Sequence, residues 1–316
     1  MQSNLECLIE CQQCWKAPEI PDNIPHGDMP GDKIRVTEEL KKKADIIFPE
    51  LLERIKLLLE QENREKVVIA VCGGSGVGKS TIASLLAFYF NHVGIGSYIL
   101  SGDNYPHRIP KYNDAERLRI YREAGLKGLI RENKYSHERY EKIRQWQIEG
   151  IDADNTLTEK YPWFSSYIAS GKRALEGYLG TNHEIGFDEV EEIVSLFKKG
   201  TNAIWLKRMG RNEEDLWYEH VDFSGYPVLI IEWTHANSDY YHGVDIPILL
   251  NSTPEETLEY RRARSRDGAA DSPFTMLVLE IEQELLKQQA YKAKIILSKQ
   301  GEFLSLNQYR ALMMKS

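Results

Sequence analysis

Residues 73–81 read GGSGVGKST, directly after the apolar run VVIAVC. Glycine at 73, 74, 76 and 78 costs backbone entropy, and a lysine gains nothing from lying beside a buried strand, so the stretch needs a purpose. Gly73, Gly78, Lys79 and Ser80 fit the pattern G-x-x-x-x-G-K-[ST]. A loop with so few side chains, here only Ser75 and Val77 between its glycines, can wrap a phosphate with backbone N–H groups. The helix that follows aims its positive end at the same anion. Lys79 brings a point charge to the outer phosphates, Ser80 offers a hydroxyl to Mg²⁺, and Thr81 completes the set. This spacing predicts a site for a nucleoside triphosphate, taken as ATP, with Mg²⁺.

Other residues have types that suit phosphoryl transfer. The stretch YILSGDNYPHR places Asp103 just past a short apolar run, where a carboxylate would accept the proton of an attacking hydroxyl. Tyr105, His107 and Arg108 follow it as candidate substrate contacts. Glu232 ends the run VLII and would hold Mg²⁺ directly or through water. Arg261, Arg262, Arg264 and Arg266 crowd a helix end. Arg262 and Arg266 are taken as the pair that folds over the phosphates and neutralises charge in the transition state. Lys207 and Arg208 are further candidate substrate contacts. Each has a structural alternative: a turn aspartate, a solvated strand end, a solvated helix face. No Asn-Lys-x-Asp is present to read guanine.

These residues need a scaffold that brings strand ends together. Apolar strand patterns at about 67–72, 96–101, 227–232, 246–250 and 294–298 alternate with helical patterns. That alternation predicts an α/β fold with a doubly wound, mainly parallel five-stranded sheet. AIWLKR is a further strand candidate. Residues 37–64 read as helical, with Pro49 dividing them in two. Residues 15–35, rich in proline, glycine and charge, read as an extended linker. Between 113 and 199 the pattern is helical, in four segments each closed by glycine. That block predicts a large helical insertion over the carboxyl edge of the strands, where α/β proteins bind ligands.

GGSGVGKST followed by SGDNYPHR resembles the phosphoribulokinase, uridine kinase and pantothenate kinase family of P-loop kinases. Ser101, Asp103 and Tyr105 match that family's Ser-x-Asp-x-aromatic segment; Gly102, Asp103, His107 and Arg108 match its Gly-Asp-x-Phe-His-Arg form with one residue inserted. FDEVEEIVSLFKKG before PVLIIEW is similar to the stretch leading to the family's acid-ended strand. VDIPILLNSTPEETLEYRRARSRD is similar to its fourth strand, helix and arginine-bearing lid. The family usually has glycine after the acid, and this chain has Trp233. The resemblance covers roughly 66–300. It implies a P-loop kinase domain there; much of 109–185 and the first 65 residues fall outside it, so the expected organisation is an N-terminal extension at 1–65, the kinase domain at 66–300 with a substrate-side helical insertion at about 109–199, and a tail at 301–316.

Composition bounds the partners. A net charge of −8 over 316 residues argues against a general nucleic-acid binder. The longest apolar runs fall short of the ~20 residues a membrane span requires, and the acidic N-terminus lacks a signal-peptide pattern. Four cysteines suggest a reducing cytoplasm. Cys7, Cys11 and Cys14 have an iron–sulfur-like spacing, but offsets of 0, 4 and 7 place them on one apolar helix face. Residues 108–144 hold 11 Lys and Arg against 6 Asp and Glu, which suits an anionic acceptor or exposed helices with internal ion pairs. Trp146, Tyr161, Trp163, Phe164 and Tyr167 suit a ring-binding pocket or a core. The expected function is transfer of the ATP γ-phosphoryl group to a hydroxyl of a small metabolite: a sugar, sugar phosphate or nucleoside. A nucleotide-binding scaffold with little catalysis and an RNA-directed kinase stand as alternatives, and a homodimer is left open.

Overall fold

The computed structural model describes residues 15–31, 33–62, 65–264 and 272–314. Arg266 and the three N-terminal cysteines lie outside them. The described elements run α1 (Glu38–Glu62), β1 (Val67–Gly73), α2 (Lys79–His92), β2 (Ser97–Ser101), α3 (Pro110–Arg131), α4 (His137–Glu149), α5 (Ser165–Glu176), α6 (Phe187–Lys198), β3 (Ala203–Met209), β4 (Leu216–Asp222), β5 (Val228–Glu232), β6 (Ile246–Leu250), α7 (Leu258–Arg264), α8 (Pro273–Gln289), β7 (Ile295–Leu297) and α9 (Leu306–Met313).

Five strands form one parallel sheet in the order β2-β5-β1-β6-β7. The expected doubly wound sheet is thus present. Its strands are buried on both faces, which is why they read as unbroken apolar runs. Side chains alternate in direction along each strand, so Val67, Ile69 and Val71, Val228 and Ile230, and Ile99 share one face. They pack there with α1 and α2 in a single core. β3 lies apart and pairs antiparallel with β4. β4 is exposed along almost its whole length, so it shows no alternation of apolar and polar residues.

Two sequence expectations fail here. α1 runs unbroken through Pro49. Its face of Ala44, Ile47, Phe48, Leu51, Leu52 and Ile55 is almost wholly buried, and that burial outweighs the one backbone hydrogen bond proline removes. Thr37 starts the helix as expected, its Oγ1 accepting from Leu40 N at 3.3 Å. Likewise Gly125 does not end α3, which continues to Arg131. A Cβ at Gly125 would lie 2.6 Å from the Tyr167 ring, and one at Gly171 equally close to Tyr121. Glycine here permits α3 and α5 to approach closely instead of stopping a helix.

The chain divides into two compact units. The first comprises 1–105, 186–253 and 286–316 and holds the parallel sheet. The second comprises 106–185 and 254–285. Its core is built from Tyr121, Leu129, Ile143, Trp146, Phe164, Tyr167, Leu175 and residues of α8. The aromatic cluster noted in the sequence is therefore core: Phe164 and Tyr167 are fully buried and stack 5.0 Å apart. Gly125→Leu should wedge α3 from α5 and cost about 1–3 kcal/mol or more. Urea unfolding of the variant against wild type measures this.

Candidate active site

The P-loop takes the shape its glycines permit. Gly73, Gly76 and Gly78 have φ of 152°, 82° and 96°. A Cβ at Gly73 would lie 2.6 Å from the Leu250 carbonyl oxygen, and one at Gly78 would meet Leu40 at 2.5 Å. Lys79 opens α2 and folds back over the loop, its Nζ donating to Gly74 O at 3.1 Å. No side chain caps α2, which leaves its first N–H groups for an anion.

The strand register delivers the acid. Glu232 lies opposite both Val71 and Ser101. By alternation it continues the face of Val228 and Ile230, the face against which α2 packs. Its carboxylate, 3 % exposed, accepts from Ser80 Oγ at 3.1 Å and from Ser101 Oγ at 2.6 Å. Among the described residues no group of three or more His, Cys, Asp or Glu could hold a metal. A hydroxyl and one carboxylate fit Mg²⁺, which takes the rest of its octahedron from phosphates and water. Ser80 and Glu232 are the residues that would hold it.

Asp103 sits in a 3₁₀ turn, Gly102–Asn104, immediately after β2. Its side chain is exposed and lies two residues beyond Ser101, which grips Glu232. The unusual Trp233 explains the glycine before Asp103. Trp233 is buried, and a Cβ at Gly102 would lie 2.1 Å from its ring.

Sequence reasoning missed Asp28. Residues 15–31 and 33–36 have almost no regular structure, but they are no free linker. A Cβ at Gly27 would lie 3.7 Å from Glu232 Oε1. Asp28 Oδ1 accepts from Ser101 N at 2.7 Å and Asn104 Nδ2 at 3.0 Å. Oδ2 accepts from Tyr98 OH at 3.0 Å and from the Arg208 guanidinium at 2.9 Å. Arg208 also donates to Glu219 at 3.0 Å and to Tyr98 OH at 2.8 Å, so its donors are committed inside the unit. Nothing in the local sequence of a proline- and glycine-rich stretch marks such an aspartate.

Tyr105 is fully buried, and its hydroxyl has no hydrogen-bond partner among the described residues. Lys207 is buried with Glu189 Oε1 3.9 Å away, and burial lowers its pKa. His107, Arg108 and Arg262 belong to the second unit. There His107 Nε2 lies 3.0 Å from Asn182 O, and Arg108 donates to Tyr178 OH at 3.0 Å. Arg262 is half exposed and lies 3.7 Å from Glu259, whereas Arg261 is buried and donates to Pro254 O. The basic excess of 108–144 is largely met within the unit: Arg117 by Glu184, Arg122 by Asp152, and Arg119 and Lys127 by Glu123.

Burial pushes the Asp28 carboxyl up to about 6, against a pull downward from Arg208 and its hydrogen bonds. Between the ordinary value of 3.8 and that raised one, the folded chain holds a proton that the unfolded chain has lost. The contribution of Asp28 to stability therefore falls as pH rises through this window, by on the order of 3 kcal/mol, and is level above it. Thermal unfolding from pH 4 to 7 should show wild type losing ground to Asp28→Asn across that range.

No family model matches the chain. Over 251 residues, 79 % of its length, it is 40 % identical to the bifunctional alpha-galactosidase/sucrose kinase AgaSK of Mediterraneibacter gnavus. The aligned stretch is 22 % of that protein, so the chain spans about a fifth of the curated relative it matches. Among solved structures, a candidate fructose transport system kinase from Silicibacter sp. aligns at a TM-score of 0.43 and 14 % identity, covering 79 % of this chain and 94 % of that one. A candidate uridine kinase from Bacillus stearothermophilus aligns at 0.43 and 13 %, covering 82 % and 98 %. The chain is a P-loop protein with a five-stranded parallel sheet, and over most of its length it is a relative of part of a bifunctional alpha-galactosidase/sucrose kinase.

Proposed function

We propose that the chain is a kinase that transfers the γ-phosphoryl group of ATP, with Mg²⁺, to a hydroxyl of a small saccharide. The observation that carries this is the meeting of Ser80, Glu232 and Ser101 beside the P-loop, with Asp103 two residues further on. Phosphoryl transfer asks for little covalent chemistry and much positioning and charge neutralisation. Lys79 draws charge from the outer phosphates, and Ser80 with Glu232 would hold the metal, which would supply further neutralisation of the phosphate charge. Asp103 accepts the acceptor's hydroxyl proton and holds that oxygen in line with phosphorus. Arg262 keeps the role its sequence context suggests, that of the neutralising arginine.

A saccharide acceptor is favoured by the name of the relative, which joins an alpha-galactosidase with a sucrose kinase. Glycoside hydrolysis rests on paired carboxylates and has no use for a triphosphate cradle, so the P-loop in this chain fits the kinase half of that name. The basic excess at 108–144, which would suit an anionic acceptor, is largely paired with carboxylates. Sucrose is accordingly the first acceptor to test.

An ADP-release assay over sucrose, monosaccharides, sugar phosphates, nucleosides and RNA should give acceptor-dependent turnover with sucrose or a close analogue, and phosphorylated sugar as product. ADP release independent of any acceptor would refute the proposal and favour a nucleotide-binding scaffold. Asp103→Asn should lower kcat by about 10²–10⁴-fold with little change in ATP affinity. Turnover within a few-fold of wild type would remove the base from Asp103. Glu232→Gln should weaken Mg²⁺ binding, read as a raised Mg²⁺ concentration for half-maximal rate.

A further inference from the structure

We propose that Asp28 is a positioning residue for phosphoryl transfer, whose carboxylate sets the turn that presents Asp103. The inference rests on the kinase reading and adds to it a residue from a segment that no sequence pattern ties to the chemistry.

The turn 102–104 has no side-chain cap; its own bond is the backbone one from Tyr105 N to Gly102 O at 3.0 Å, and its two flanks are held from outside. One oxygen of Asp28 holds both flanks. Oδ1 accepts from the backbone N–H of Ser101 at 2.7 Å and from the Asn104 side-chain amide at 3.0 Å. Those two residues bracket Gly102 and Asp103. The amide oxygen of Asn104 in turn accepts from Met209 N at 3.0 Å, which ties the far side of the turn to β3. Trp233 closes on Gly102 from another direction. These contacts hold the backbone on both sides of Asp103.

The chemistry of the contact calls for an acid. All four interactions bring a donor to Asp28, and a carboxylate accepts at both oxygens while an amide accepts at one. With asparagine at 28, an NH₂ group would face either the guanidinium of Arg208 and the Tyr98 hydroxyl or the two donors of the turn. The cost of burying the acid is visible in its raised titration, and a neutral anchor would have avoided that cost. Ser101, the residue that Asp28 grips through its N–H, is also the one whose hydroxyl grips Glu232. The same carboxylate therefore references the proton acceptor and the metal-holding acid to one point, and displacement of a reacting group by about 1 Å can cost about 10²-fold in rate.

The test is a double-mutant cycle on the full chain, with ATP and the acceptor that gives turnover. Asp28→Asn should lower kcat by about 10- to 100-fold with KM for ATP within about twofold, and should raise the ADP released per phosphorylated acceptor. In an Asp103→Asn background the same change should cost at least about fivefold less than it does in wild type, because most of its effect runs through Asp103 and the remainder through the Ser101–Glu232 contact. Asn104→Ala, which spares the Asp28–Arg208 pair, should reproduce the loss and the non-additivity if Asp28→Asn does not fold. A kcat within about threefold of wild type, or full additivity with Asp103→Asn, would overturn the inference. Hydrogen exchange supplies a readout independent of turnover. Amides at 101–104 should exchange at least about 10-fold faster in Asp28→Asn, with those of α2 unchanged, and equal exchange at 101–104 would also overturn it. Absence of acceptor-dependent turnover in wild type would instead refute the kinase reading and leave the exchange arm to decide whether Asp28 holds the turn.

Discussion

The Glu232 carboxylate is the constraint on which the site depends. Its two oxygens accept from Ser80, at the start of α2, and from Ser101, at the end of β2. Three elements that the chain visits far apart are thereby fixed to one buried anion. A carboxylate this buried is tolerable only when donors surround it, so each serine is needed for the acid as much as the acid for the serines. The arrangement presents a hydroxyl and a carboxylate together beside a loop built to hold phosphate.

Asp28 repeats that logic one layer out. It gathers Tyr98, Ser101, Asn104 and Arg208, and the N-terminal segment that carries it passes close enough to Glu232 for a Cβ at Gly27 to reach van der Waals contact. Two buried acids, sharing Ser101 between them, organise the carboxyl end of β2 and β5. The cysteine at the end of the sheet's central strand has no comparable role: burial pushes the Cys72 thiol up to about 12, which leaves it a small apolar residue.

Much of this was legible in the sequence, and what was not follows a physical pattern. The P-loop, the five parallel strands and the acid-ended strand are written in spacings of a few residues, where backbone geometry acts directly. The misses involve partners remote in sequence. Asp28 meets donors 70 to 180 residues away, and no local rule selects it among its neighbours. Gly125 reads as a helix stop because its meaning lies in Tyr167 on another helix. Pro49 reads as a break because the buried face that overrides it depends on the sheet. β4 has no inward face of its own and so carries no periodic signal. Trp233, where the resembled pattern has glycine, packs on Gly102 at the end of another strand, a contact that no local spacing marks.

The placement of Asp28 also bears on the order in which the chain takes shape during synthesis. The segment that carries it leaves the ribosome before the P-loop, yet its cationic partner Arg208 follows 180 residues later. Until then the aspartate stays hydrated and bears no cost of burial. Glu232 arrives later still. The sheet's first strands thus wait for β5, and contacts of such sequence separation make closure of the site a late and comparatively slow event in folding. A truncation that looks like removal of a tail would take away a piece of the centre.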